Sequence, residues 1–375
     1  MTGRRTVVRH APGKLFIAGE YAVLEPGHPA ILVAVDRQIS VTVSAAEGAD
    51  AVIDSDLCPG ETHLGRGDGG LTGLGADDER QARAGLTHVV SAIDVIEALL
   101  AERELTVPPL HLSIRSGLHH DGTKIGLGSS GAVTVAVVDA VAAYCGIDLS
   151  PDARFRLAML ATARLAPQSS GGDLAASVWG GWIAYQAPDR TAVLDMARRS
   201  GIAETLRAPW PGFGLRRLPP PRRLVLEVGW TGRPASSTSL AGRLGAGDWR
   251  GSPSQRNFLA RSDECVGASI RALGQGDDDE LLRRIRDARR MLADLDGEAH
   301  LGIFTPELTA LCDTAESFGG AAKPSGAGGG DCGIALLDAG AEKEIAQLRE
   351  GWGAAGVLPL PVHVQPAKPT QGSAS

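Results

Sequence analysis

Short runs of β-branched and aliphatic residues dominate the start of the chain. They predict strands at 6–9, 15–18, 31–35 and 39–43, punctuated by the turn signals Pro12-Gly13 and Pro26-Gly27. The pattern lapses over 59–81, a Gly-rich polar stretch expected to be a surface loop or insertion. Val89, Val90, Ile93, Ile96, Leu99 and Leu100 then recur at helical spacing and predict a helix over 87–102. Strict alternation over 110–116 predicts a half-buried strand, and an Ala/Val-rich run from Ser130 to Tyr144 a buried helix. Ser150-Pro151 supplies an N-cap and first turn for a helix to Leu165. A second Gly/Ser loop at 169–172 leads to a strand over 179–186.

The stretch 188–221 is Pro-rich and reads as irregular, ending in Pro219-Pro220-Pro221, where a domain boundary is expected. Beyond it the pattern predicts strands at 224–228, 333–337 and 357–363, and helices near 236–245, 254–273, 278–295, 306–317 and 341–350. The expected organisation is an α+β chain with an N-terminal domain over 1–218, a C-terminal domain over 219–364 and a frayed tail over 365–375.

Composition narrows the function. With 375 residues, 43% hydrophobic and 22% charged, the chain can bury a large core and is no disordered polymer. Its net charge of -7 argues against a nucleic-acid surface, whose affinity rests on neutralising phosphates. The five cysteines are widely spaced and form no CxxC, so neither a disulfide framework nor a zinc site is indicated. Lys14 and Glu20 interrupt the apolar run a signal peptide needs, and the longest apolar stretch is too short to span a bilayer. A soluble cytoplasmic protein without membrane or nucleic-acid partners, monomeric or homodimeric, is expected. Lysine is scarce: Lys14, Lys124, Lys323, Lys343 and Lys368 leave 32 of the 37 basic residues to Arg.

Three Gly-bearing segments carry candidate chemistry. The run Lys124-Ile-Gly-Leu-Gly-Ser-Ser-Gly-Ala132 follows a strand and opens a helix, so its backbone N–H groups and helix dipole can cradle phosphates, while Ser129 or Ser130 can offer a hydroxyl to Mg²⁺. It is no Walker A loop, because the Lys precedes the glycines. Ser169-Ser-Gly-Gly-Asp173 sits between apolar segments, its Asp open to either a capping or a site role. Lys323-Pro-Ser-Gly-Ala-Gly-Gly-Gly-Asp-Cys-Gly333 holds more glycine than a hairpin needs, which favours close approach to a ligand. Ala11-Pro-Gly-Lys-Leu-Phe-Ile-Ala-Gly-Glu-Tyr21 places a Lys at a strand start and a Glu-Tyr pair past its end. The Gly-Arg-Gly-Asp-Gly-Gly run at 65–70 looks like a phosphate loop only as a pattern, without the strand and helix that would aim it.

The Ala11–Tyr21, Lys124 and Lys323 segments, in that order and at similar separation, resemble the three signature motifs of the GHMP kinase superfamily. Gly-Glu-Tyr in the first motif, the Lys opening the second, Ser-Gly-Gly-Asp-Leu-Ala-Ala-Ser, and Gly229-Trp-Thr-Gly-Arg-Pro-Ala-Ser-Ser237 look most like its phosphomevalonate kinase branch. The resemblance implies an α+β GHMP kinase fold, with a ribosomal protein S5 domain 2-like N-terminal domain, a ferredoxin-like C-terminal domain and the active site between them. It implies transfer of a phosphoryl group from ATP, with Mg²⁺, to 5-phosphomevalonate in isoprenoid precursor synthesis. Mevalonate kinase, diphosphomevalonate decarboxylase and a non-catalytic binding protein of the same fold are the alternatives.

By that resemblance Lys14 and Asp173 face the reacting phosphates. Lys124, Gly126, Leu127, Gly128, Ser129, Ser130 and Gly131 bind the nucleotide, and Ser130 ligates the metal. Glu20, Tyr21, Ser170, Gly171, Ser325, Gly326, Ala327 and Gly328 contact the acceptor. One departure is visible: mevalonate kinases carry a Glu about eleven residues before the catalytic Asp as a second metal ligand, and 154–172 contains no carboxylate. Lys14, Lys124 and Lys323 each open one of the three motifs and are expected to face crowded phosphates, where a compact ammonium fits better than a guanidinium.

Overall fold

The computed structural model describes residues 5–56, 58–67, 70–235, 244 and 249–367. The chain builds two sheets. The first has eight strands: β1 (Val7–Ala18), β2 (Pro29–Ala45), β3 (Ala51–Ser55), β4 (Glu61–Gly67), β5 (Gly70–Gly73), β6 (Leu110–Ser116), β9 (Trp182–Gln186) and β10 (Gly214–Leu218), in the order β10-β9-β2-β6-β3-β4-β5 with β1 also on β2. The short pair β7 (His119–His120) and β8 (Thr123–Lys124) stands apart as a ribbon. The second sheet runs β12-β13-β11-β14, from Ala321–Pro324, Cys332–Asp338, Leu224–Trp230 and Leu358–Pro359, all antiparallel.

Against the first sheet lie helices α1 (Ala76–Ala84), α2 (Thr87–Ala101), α3 (Ser129–Tyr144), α4 (Pro151–Leu165), α5 (Gly172–Trp179) and α6 (Arg190–Arg207). The second carries α7 (Pro253–Gln275), α8 (Asp278–Ala299), α9 (Pro306–Ser317) and α10 (Glu342–Ala354). This is the expected α+β architecture. The chain passes from the first sheet to the second between Leu218 and Leu224, across the three prolines. It also returns: Gln365 accepts from Gly181 N–H and donates to Ala34 at 2.8 Å, and Val364 bridges Val35. Gln365, expected to open a frayed tail, is thus bonded to the first sheet; residues 368–375 lie outside the described residues, as does most of the helix expected at 236–245.

Four sequence expectations change. The strands expected at 6–9 and 15–18 are one strand, and those at 31–35 and 39–43 are another, paired along their length with register shifts at Pro12/Gly13 and Phe16/Ala18. Gly13 is there for close approach: an added Cβ would stand 2.7–2.8 Å from Leu118 and the Leu127 carbonyl. Residues 59–81 hold a hairpin, β4–β5, and the start of α1; Gly73 N–H bonds to Glu79 and His63 N–H to Asp78, and Leu64 and Leu71 are buried in the core, so hydrogen bonds and two apolar anchors hold this segment. The strand β4 runs into the Gly-rich stretch at 65–70, contrary to the expectation that no strand precedes it, while the next helix begins only at Ala76; residues 68 and 69 lie outside the described residues. The stretch 188–221 contains α6 and β10. Gly201, at φ 79°, breaks α6 and resets its helical phase, which hides the periodicity, while Asp189 caps its start on Ala192. Finally, Lys323 lies within β12, a strand absent from the sequence reading.

All five cysteines are free, and burial raises each of the four whose position is most enclosed, Cys145 and Cys265 to about 11 and Cys312 to about 12, with Cys332 raised as well. Among the described residues no single helix is long and apolar enough to cross a membrane.

Candidate active site

Two clefts meet where α3 and α5 begin. The first is lined by Lys124, Gly126, Gly128, Ser129, Ser130 and Gly131 of the β8–α3 segment, with Lys14, His88, Thr162, Asp173 and Asp331. The second is lined by Phe16, Glu20, Tyr21, Gln168, Ser170, Gly326 and Ala327. Lys14, Ala166, Ser169 and Asp173 belong to both. They form the partition at which groups bound on either side would touch.

The glycines of the first cleft are there for space. Gly128, at φ 76°, precedes α3, and a Cβ on it would stand 3.0 Å from the Lys14 side chain and 3.3 Å from Asp173; one on Gly131 would meet the Asp173 carboxylate at 2.4 Å. The turn thus lets Lys14 and Asp173 press onto the helix start, whose free N–H groups and dipole favour an anion. Leu127 does not line the cleft; it is buried, and its carbonyl accepts from Lys14 N–H. Lys14 is 8% exposed and its Nζ donates to Gly126 O at 3.2 Å, 5.5 Å from the Phe16 ring centre. Among the described residues no carboxylate comes within 4 Å of this ammonium, so a nearly buried cation is held by a carbonyl and a ring and left to meet an anion. Asp173 Oδ1 accepts from Leu174 N–H, its own helix turn.

The third motif carries different duties from those expected. Ser325 Oγ accepts from Phe16 N–H and donates to Phe16 O, so its hydroxyl clamps β1 and does not line the second cleft. Lys323, fully buried, pairs with the Glu20 carboxylate and donates to Pro324 O; it does not face phosphates, and the expectation for it is corrected. Glu20, expected to bind the acceptor, spends its carboxylate on Lys323 and Gly326 N–H. Tyr21 donates to Ala327 O at 2.5 Å. Three consecutive residues, Ser325 to Ala327, are therefore tied to Phe16, Glu20 and Tyr21 along the wall of the second cleft. Gly328 and Gly171 are packing glycines: a Cβ on the first would meet Ile303 O at 2.5 Å, and on the second Met159 Sδ at 2.4 Å. Ser170 lines the second cleft, its carbonyl accepting from the buried Tyr185 hydroxyl.

Several lining residues escaped the sequence reading. Phe16, Gln168 and Ser169 lie beside residues it had marked, whereas His88 and Thr162 belong to no motif, their helices having been read only as packing. Asp331 lies inside the third motif and still went unnamed as a site. It adopts φ 53°, accepts from Ala235 N–H, and is raised by burial against the opposing pull of that N–H, Lys14 and Lys124. Burial also lowers His88.

For a metal, the donors present are hydroxyl and carboxylate oxygens, the set a hard divalent cation takes. Ser130 sits at the helix start among Asp173, Asp331 and Thr162. Among the described residues no group of three His, Cys, Asp or Glu side chains could hold a metal alone, so the set fits an ion that arrives with a nucleotide's phosphates.

This fold and this pair of clefts define a small-molecule kinase of the GHMP class. Residues 88–181 match the family model for the GHMP kinases N terminal domain, and 269–354 that for the GHMP kinases C terminal. The chain is 63% identical to the phosphomevalonate kinase of Streptomyces sp. (strain CL190) over 96% of its own length and 98% of that protein's. It superposes on the Streptococcus pneumoniae phosphomevalonate kinase in complex with phosphomevalonate and AMPPNP with a TM-score of 0.83, at 27% identity, over 96% and 99% of the two chains. The mevalonate kinase of Aeropyrum pernix is more distant, 29% identical over 90% of each chain. The chain belongs to the phosphomevalonate kinase family of the GHMP kinases, and it is an enzyme of the kinase type.

Proposed function

We propose that the protein transfers the γ-phosphoryl group of ATP to the phosphate of (R)-5-phosphomevalonate, giving ADP and (R)-5-diphosphomevalonate in the mevalonate route to isoprenoid precursors, in the cytoplasm. The observation that carries the assignment of parts is the shared partition: one cleft ends in the phosphate-cradling start of α3, the other in a pocket of small-molecule size, and Lys14 and Asp173 stand in both. Lys124, Gly126, Gly128, Ser129, Ser130 and Gly131 receive the triphosphate. Tyr21, Ser170, Gly326 and Ala327 line the acceptor, with Gln168, Phe16 and Ser169. Ser130 would hold Mg²⁺, which when bound offsets charge on the nucleotide phosphates.

The acceptor's chemistry decides what the residues must do. A phosphate monoester has a second pKa near ~6, so at pH 7 most of it is already a dianion and needs little help from a base. Bringing that dianion against a polyanionic nucleotide is the larger obstacle, and it calls for fixed positive charge and N–H dipoles at the transferring oxygens. Lys14 supplies the charge from a nearly dry position, and the first N–H groups of α3 supply the dipoles. Asp173, pressed against Gly128 and Gly131, keeps the partition in place and orients the groups around it.

Asp173→Asn is accordingly expected to lower kcat about 100-fold, while kcat/KM of both wild type and variant still rises with pH through the acceptor's own ionisation near ~6. A steady-state pH profile checks this; disappearance of that limb in the variant alone would make Asp173 the proton acceptor. Phosphorus NMR of the product tests the reaction itself: coupling between two acceptor-borne phosphorus atoms is expected, and a second uncoupled monoester would contradict the proposal.

A further inference from the structure

The nucleotide cleft has a lining that phosphate binding does not use. Thr162 of α4 and His88 at the start of α2 both face it. Thr162 is 5% exposed and its Oγ1 is buried without a hydrogen-bond partner; His88 Nδ1 is likewise buried and unpartnered. Helical threonines have an easy alternative, the carbonyl four residues back, and Thr134, Thr205 and Thr314 take it at 2.7–2.8 Å. Thr162 does not. A hydroxyl withdrawn from water and given no partner is a cost to the fold, and such a group at the wall of a cleft points to something bound there that completes it.

The kind of ligand follows from the company. One set of lining groups consists of donors: Lys14, Lys124 and the N–H groups opening α3. The second set comprises the carboxylates Asp173 and Asp331, packed against Gly131 and Gly126, with Thr162 Oγ1 and His88 Nδ1. Phosphate oxygens satisfy the first set and are repelled by the carboxylates of the second. A cation carrying water satisfies both, because it binds the phosphates and turns its water protons outward. Mg²⁺ sheds water reluctantly and keeps several molecules when nucleotide-bound. Here the described residues provide no cluster of ligands that would strip them.

We propose that Thr162 and His88 hold the water shell of the nucleotide's Mg²⁺, completing outside the first coordination sphere the site that Ser130 anchors within it. The proposal rests on the reading of this cleft as the nucleotide site. It explains how the stretch 154–172, which holds no carboxylate, serves a metal–nucleotide complex: a neutral hydroxyl and an imidazole bond to coordinated water where a carboxylate would bind the ion directly. Both are positioning residues, since neither touches the reacting atoms.

Thr162→Val removes the hydroxyl at nearly constant volume, and Thr162→Ser keeps it. Calorimetric titration of ADP into wild type and variants, in excess Mg²⁺ and again in excess EDTA, separates metal from nucleotide. Loss of an outer-sphere partner weakens metal binding by roughly 10–100-fold. The gain in ADP affinity on adding Mg²⁺ is therefore expected to shrink at least about 10-fold in Thr162→Val and in His88→Leu, with affinity in EDTA within about twofold of wild type and Thr162→Ser close to wild type. The ligand-free thermal midpoint of Thr162→Val is expected at or above that of wild type, because no bond inside the protein is lost. Equal weakening with and without Mg²⁺ would make these residues direct nucleotide contacts and overturn the proposal, as would no change in either condition or a lowered midpoint. Failure of wild type to bind ADP in either condition would instead refute the nucleotide reading beneath it.

Discussion

Lys14→Ala is expected to lower kcat about 1000-fold, ~4 kcal/mol of transition-state stabilisation, with a much smaller change in KM for either substrate. The size of the effect comes from where the ammonium sits. It is 8% exposed, in the partition common to both clefts, and it has no carboxylate within 4 Å among the described residues. Charge held in that setting is poorly screened and already oriented, so it acts most strongly on negative charge gathering between the two substrates. Arg is not expected to rescue the loss. The Lys14 side chain lies against Gly128, where even a methyl would come within 3.0 Å, and a planar fork requires more width than that channel has. Steady-state kinetics with saturating ATP checks both variants, and turnover near wild type in Lys14→Ala would remove the charge argument.

Lys323→Met is expected to show the largest loss of stability, about 3–5 kcal/mol, because it strands the Glu20 carboxylate in the protein interior. Lys323 is fully buried and Glu20 is 4% exposed, so water cannot take over the pairing. The effect should reach function through geometry. Glu20 also receives Gly326 N–H, and its neighbour Tyr21 holds Ala327, so a displaced Glu20 loosens the acceptor side of the site. Urea unfolding is expected to show a lowered midpoint, and KM for the acceptor should rise more than KM for ATP. Adding Glu20→Gln to Lys323→Met removes the stranded charge and is expected to recover more than half of the lost stability. A double variant no more stable than the single one would show that the pair is not what the position contributes.

The contrast between those two lysines shows what was legible in the residues and what was not. Both open a Gly-bearing motif, and sequence gave them the same expected task. Lys14 enters the shared partition, whereas Lys323 falls on a strand, β12, whose pairing with β13 turns its side chain inward to Glu20, some three hundred residues away in the chain. Nothing local distinguishes the two, because the difference lies in tertiary pairing. Local signals served well where the physics was local: α2 and α4 begin and end within about a residue of expectation, the latter through Ser150 accepting from Ala153 N–H at its cap. The Gly-rich turn before α3 was equally visible, since glycine placement and the following helix are both properties of contiguous residues.

Where distant contacts override local signals, expectation failed in a recognisable way. Pro12-Gly13 reads as a turn, yet the strand continues through it because Gly13 makes room for Leu118 and Leu127. Helix α6 was hidden by the phase reset at Gly201, where Glu102 receives the N–H groups of Ile202 and Ala203. Thr162 and His88 carry no motif at all. Their interest lies in bonds they do not make, a property only the folded arrangement can reveal.

The most direct test of the account is ADP formation measured in parallel with ATP, Mg²⁺ and each of three acceptors: mevalonate, 5-phosphomevalonate and 5-diphosphomevalonate. The partition of Lys14 and Asp173 between a nucleotide cleft and a phosphate-accepting cleft predicts rapid turnover with 5-phosphomevalonate and at least about 100-fold lower kcat/KM with the other two, as expected when a bound phosphate supplies a nucleophile that needs no base. Comparable or faster turnover with mevalonate, or ADP release with 5-diphosphomevalonate alone, would contradict it.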